Sequence, residues 1–222
     1  MTLDDIAKIR PDGDFAPPEG NFNVASQVLV DADGVRAETT GEQVGFVHRR
    51  LDGSRLLLVG KAGCAYSWQG SYTRWEHLHQ EAMIHWCRYR EVAHPLRLTR
   101  LGVRFVNRID IPSSQVEIKD YLRTAIDVST YLPQSIFSYF LQVRVPLRTD
   151  GTMATITSTT VPPPDPNTTS LILDIDVSQE PDLDLAGSDN EADLERRLGV
   201  LREAKNHTFE ACITDGTRGL IR

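Results

Sequence analysis

Leu96-Arg-Leu-Thr-Arg100-Leu-Gly-Val-Arg104-Phe-Val-Asn107-Arg108-Ile109-Asp-Ile111 is the stretch that decides the fold. Leu101, Val103, Phe105 and Ile109 alternate onto one side of an extended chain, and Arg100, Arg104 and Arg108 onto the other. A period of two is that of a strand with one face on a core and one in water. Pro112 ends the run, because proline has no N–H to give to a ladder. A strand that is apolar on one side only belongs to an antiparallel sheet whose other face is uncovered.

Downstream, residues 116–124 read as a short helix, followed by strands over 136–148, 153–161 and 169–177. Asp150-Gly151 supplies the turn between the first two of these strands, and the proline-rich run at 162–166 a stiff loop before the third. A last helix is expected over 189–208, with Ser188 and Glu191 as a capping box and Arg202, Lys205 and His207 near its carbonyl end. Upstream, residues 73–90 form the strongest helix pattern. Thr73 and Glu76 fit a capping box, and Trp75, Leu78, Ala82, Trp86 and Tyr89 recur on one face. Before it lie short strands at 24–30, 43–50, 55–59 and 64–68, and a short helix at 3–10. Leu51-Asp-Gly-Ser54 turns the second strand into the third.

The expected class is therefore α+β: antiparallel sheet with helices packed on one face, in a single compact unit over 1–222. The second half reads strand, helix, three strands, helix. The first reads helix, several short strands, helix. Residues 1–95 and 96–222 are thus expected to be pseudo-repeats, and a TATA-binding-protein-like saddle is a known arrangement with this order.

Composition narrows the class of function. The chain has 222 residues, 40% hydrophobic and 25% charged, the profile of a folded domain. Its formal net charge of −7 disfavours non-specific binding to nucleic acid or to acidic membranes. No apolar run approaches the ~20 residues of a membrane span, and the first residues lack a basic stretch followed by an apolar one. A cytoplasmic protein with no membrane association is expected. Three scattered cysteines, Cys64, Cys87 and Cys212, fit free thiols in a reducing compartment, with Cys87 read as a small core residue.

Four ordered motifs carry a resemblance. They are Tyr72-Thr-Arg-Trp75-Glu76, the Arg100–Ile109 run, Leu173-Asp-Ile-Asp176-Val177, and Leu201-Arg202-Glu-Ala-Lys205-Asn206-His-Thr-Phe209-Glu210 followed by Ile213-Thr214-Asp215. Together they resemble a sporadically distributed bacterial family of uncharacterised proteins, over residues 43–222. The resemblance implies no established activity. Its patchy distribution implies accessory, mobile or defence-linked genes. Members begin with an apolar strand before the first helix, which this chain lacks. That departure implies an unpaired sheet edge able to recruit a partner strand, although a mis-assigned start site gives the same pattern.

The residues that can carry chemistry gather on the polar sheet face. Arg100, Arg104 and Arg108 share a side of their strand, and Ile172, Asp174 and Asp176 a side of a later one. Phe140, Gln142 and Arg144, then Thr155, Thr157 and Thr159, fall on the same outer surface. Inter-strand Arg–Asp pairs on a solvated face would account for this composition by themselves. As a site, the face suits a protein partner or an anionic ligand, since guanidinium forks match carboxylates and phosphates. Asp174 and Asp176 also resemble a carboxylate pair for a metal, but no third ligand stands at a convincing spacing.

His77, His79 and His85 are read as surface or boundary residues. His77 and His85 lie ~12 Å apart along the helix, too far to share one metal. No phosphate loop, dinucleotide fingerprint or hydrolase elbow occurs. Asn107 falls on the apolar side of its strand, and is expected to pin the polar Lys205-Asn206-His207 end of the last helix. The leading expectation is a non-catalytic binding protein, without cofactor or metal, that meets a protein partner or a second copy through the sheet face or edge. A nucleic-acid-binding regulator using Arg100, Arg104, Arg108 and Arg144 is the second reading, and a metal-assisted hydrolase at Asp174 and Asp176 the third.

Overall fold

The structure, a computed structural model, describes residues 2–31, 34–70, 74–134, 136–186 and 190–221. They divide into two compact units, Met1–Pro95 and Leu96–Arg222. Both are α+β, and their strands form antiparallel sheets.

In the first unit, helix α1 (Leu3–Ile6) is started by a reciprocal cap. Thr2 accepts from the Asp5 amide, and the Asp5 carboxylate accepts from Thr2. Strands β1 (Glu19–Asp31), β2 (Gly34–Arg49), β3 (Arg55–Gly60) and β4 (Gly63–Trp68) follow as a meander in the order β1-β2-β3-β4. Asp52 shapes the β2–β3 turn by accepting from the Ser54 amide at 2.8 Å, and Gly53 supplies the left-handed φ of 72°. Gly45 is required where β2 meets β3, because a Cβ there would stand 2.0 Å from the Val59 carbonyl oxygen.

β3 pairs only with the Gly45–Arg49 end of β2. Beyond it, from Phe22↔Gln43 to Val30↔Val35, β1 and β2 have only each other among the described strands. The sequence signalled residues 24–30 of this ribbon but not the polar return strand from Gly34, whose residues lack an apolar alternation. Its strand character comes from pairing.

Helix α2 (Trp75–Ala93) lays Trp86 and Tyr89 against a core of Ile6, Ile9, Leu57 and Val59. It ends at His94, which takes a left-handed φ of 44°, and Pro95 bars continuation. The expected caps Thr73 and Ser188 lie outside the described residues. The residue that does cap α2 is Arg74, without a side-chain hydrogen bond.

In the second unit, the expected long strand is broken. Residues Arg97–Leu98 (β5) pair with Leu183–Asp184 (β10), and Leu101–Ile111 (β6) joins the main sheet. The expected helix at 116–124 is a single 3₁₀ turn, Ile118–Asp120. The chain leaves it because Leu122 bridges to Ile213 and the Arg123 amide donates to the Cys212 carbonyl at 2.8 Å. Strands β7 (Phe140–Pro146), β8 (Met153–Val161) and β9 (Thr169–Gln179) complete a sheet of order β6-β9-β8-β7. Helix α3 (Asn190–Cys212) runs beyond its expected end and is followed by α4 (Asp215–Leu220).

Leu171, Leu173, Ile175 and Val177 of β9 are buried on the face that α3 covers with Leu194 and Leu201. The opposite face carries the polar residues. Helices therefore pack on one side of the sheet, as the strand alternation required.

Candidate functional site

The strand register assembles the outer face of the second unit in rows. Gln142, Thr157, Asp174 and Val106 make one row, and Arg144, Thr155, Asp176 and Arg104 the next. Phe140 stands one row further, beside Thr159, Ile172 and Arg108. Each residue is there because its strand alternates and most of its inward neighbours are apolar, Asn107 and Ser158 being the polar ones.

The arginines do not pair straight across. Asp176 is the register partner of Arg104, yet Arg104 reaches diagonally to Asp174 with Nε 2.9 Å from Oδ1, and a second nitrogen bonds Oδ2. Arg100, just before β6, takes Asp176 at 2.7 Å. Arg108 binds Asp110 at 2.9 Å and also donates to the Pro162 carbonyl and the Ser170 hydroxyl. Bidentate forks of this kind fix the guanidinium planes. The hydrogen bonds that Arg104 donates to Asp174 raise the Arg104 pKa above its ordinary value, and the Ser170 hydroxyl, then Arg108, lower that of Asp110.

Gln142 donates to Thr157 at 3.0 Å. Arg144 has no ion pair among the described residues. Two large apolar side chains stand in the open beside this network, Phe140 at 67% and Val106 at 60% exposure.

The structure thus brings Arg100, Arg104, Arg108, Gln142, Arg144, Asp174 and Asp176 onto one surface. Three of the four arginines already hold a carboxylate. A phosphate backbone would have to displace these partners. Asp174 and Asp176 each carry a guanidinium, and no group of three metal-ligating side chains occurs among the described residues.

Asn107 is half-buried, but its amide donates to the Leu173 carbonyl of the adjacent strand at 3.1 Å. Asn206 is exposed on α3. From the same end of α3, Lys205 reaches β6, with its ammonium 3.8 Å from the centre of the Phe105 ring. Burial, then Arg202, lowers the Lys205 pKa.

Sequence reading missed a second polar cluster, in the first unit. One oxygen of Glu81 on α2 accepts from Arg55 Nε at 2.8 Å, Tyr66 Oη at 2.6 Å and Trp68 Nε1 at 2.7 Å. Burial acts to raise the Glu81 pKa, but these donors outweigh it and hold the carboxyl at about 2. The Arg55 guanidinium also lies 3.8 Å over the Trp68 ring. His85, one turn along, is buried rather than at a boundary and packs against Tyr66 with the rings tilted by 39°. Its i, i+4 spacing from Glu81 was the available signal, but the donors to Glu81 come from β3 and β4, which spacing does not reveal. Cys87 is exposed on α2 rather than in the core.

No helix among the described residues is long and apolar enough to cross a membrane. Compared with known proteins, the chain matches no family model, no curated protein and no solved structure.

Proposed function

We propose that this is a non-catalytic binding module that recognises a protein partner through the outer face of the β6-β9-β8-β7 sheet. The observation that carries the reading is the pairing of exposed Phe140 and Val106 with a surface of arginines already fixed by aspartates. Those two anchors lie about 14 Å apart across the strands, a span that suits a macromolecule. Arginine and aromatic side chains dominate the energetics of protein interfaces. Side chains fixed before contact lose little entropy on binding, so preorganisation favours affinity. The family resemblance fits a partner encoded in the same accessory cassette.

The test is recovery of the tagged chain from its native host, with the bound proteins quantified. A stoichiometric partner is expected, lost when Phe140→Glu and Val106→Lys are combined and retained in Leu51→Lys, an exposed site in the first unit. A partner that survives the double substitution overturns the reading. Recovery of nucleic acid, released steeply by salt, would move the face to the second reading.

A further inference from the structure

Strand β7 closes the second sheet and pairs with β8 alone among the described strands. The Leu147 amide donates to the Thr152 carbonyl at 2.9 Å, which makes these two a hydrogen-bonded pair in the β7–β8 register. In an antiparallel ladder such pairs recur at every second residue, so Val145, Val143 and Leu141 turn their backbone groups to β8. Phe140, Gln142 and Arg144 turn theirs to the open edge. No other backbone group among the described residues takes their N–H groups there. Pro146, which has no N–H, ends this row of donors.

The sheet is unfinished in its side chains at the same edge. Ala154 and Ile156 of β8 are buried, whereas Leu141 and Val143 on the same inward side of β7 are half-buried and Val145 is 38% exposed. On the outer side Phe140 stands in the open. Arg100, Arg104 and Arg108 hold carboxylates, and Arg144, on the edge strand, holds none among the described residues. A strand laid along β7 satisfies the three donors, covers the inward residues and meets Phe140 and Arg144 on the outer face. A second copy of β7 answers this edge poorly, because Phe140–Pro146 contains no acidic residue to set against Arg144.

We propose that the partner of the sheet face enters by strand addition, laying an extended segment antiparallel along β7 with an acidic side chain opposite Arg144 and an apolar one opposite Phe140. Along the partner the segment runs acid, apolar, small polar, apolar, apolar. Its second and fourth residues turn to the helix-covered side, and its third meets Gln142, whose amide is already held by Thr157. The proposal rests on the binding reading and names the form in which the partner arrives.

The experiment is fluorescence anisotropy of the whole chain with two labelled peptides, Ser-Glu-Val-Thr-Ile-Val-Ser and the same peptide with lysine in place of glutamate. Saturable binding of the glutamate peptide is expected below about 1 mM. The lysine peptide should bind about fivefold more weakly, the swing between an attractive and a repulsive cross-strand pair. Arg144→Glu should reverse that preference. Gln142→Pro deletes an outward N–H and leaves the β7–β8 bonds in place, so it should abolish binding of both peptides with an unchanged circular dichroism spectrum. Leu51→Lys, in the first unit, should bind like the parent. Where Gln142→Pro disturbs the fold, the reversal in Arg144→Glu decides alone. No binding of either peptide overturns strand addition, as does binding that survives Gln142→Pro in a folded chain or a preference that Arg144→Glu does not reverse. A dimer in solution that Gln142→Pro converts to a monomer would give the edge to a second copy and overturn it too. Each of these failures leaves the binding reading to its own test, the combined Phe140→Glu and Val106→Lys substitution, so the two are distinguishable.

Discussion

The two four-stranded sheets treat their own last strand, β4 in one and β9 in the other, differently. In the second unit β9 is internal, with β6 on one side and β8 on the other. In the first unit β4 has β3 alone, and its other edge has no neighbouring strand among the described residues. The polar chemistry follows this difference. Around β9 the ion pairs run between strands on the solvent face, where water competes with them. Around β4 the acid comes from the helix, and Glu81 draws Arg55, Tyr66 and Trp68 together between α2 and the sheet. The same residue types are a surface in one unit and a structural joint in the other.

The largest effect is expected where the comparison touches the core. Leu173→Ala, at the centre of β9, should cost about 2–5 kcal/mol through lost burial and an unfilled cavity. All three tryptophans, Trp68, Trp75 and Trp86, lie in the first unit. Circular dichroism in denaturant should therefore register the loss more strongly than tryptophan fluorescence. Equal shifts of both probes would break the comparison and show the two sheets unfolding as one.

Glu81→Gln should cost about 1–3 kcal/mol, because one oxygen serves three donors, discounted since the side chain is about a third exposed. Here tryptophan fluorescence should report the change fully. A negligible shift in the fluorescence midpoint would mean that the cluster is ornamental.

A graded effect is expected with pH. His48 and His85 are buried in the first unit. Burial, then Arg10 for His48 and Arg88 for His85, lowers both pKa values below the usual 6.5. The unfolded chain therefore binds protons first. Stability of the first unit should be full above about pH 6.5 and decline as pH falls below it. Fluorescence-detected unfolding at pH 7.5 and pH 5.5 checks this, and a midpoint that does not fall on acidification would contradict it.

The smallest effect belongs to the exposed pairs. Arg148→Ala should cost only about 0.2–1 kcal/mol by denaturant unfolding, since both it and its partner Asp150 are more than a third exposed. A loss above that range would mean that this turn pair is a structural contact rather than a solvated one.

Much of the second unit was legible, because β6, β8 and β9 bury every second residue and that period has one physical meaning. The outer face was legible for the same reason: register follows once the inward residues are known. The short helix at 116–124 was misread because its polar and apolar residues satisfy a helical pattern locally. The Leu122–Ile213 bridge that overrides it joins residues far apart in the chain. The ribbon strand from Gly34 was invisible because its polar sequence carries no apolar alternation.

The amino-acid sequence by itself determined the class, the helix-covered and open faces of the second sheet, and which arginines and aspartates share a surface. These are consequences of side-chain period and of the need to bury apolar area. Only the tertiary structure decided which aspartate each arginine takes, that Asn107 serves the neighbouring strand, and that Phe140, Gln142 and Arg144 lie along an open edge. Those outcomes depend on strand order and loop path, which are set by contacts between distant residues and leave no periodic trace along the chain.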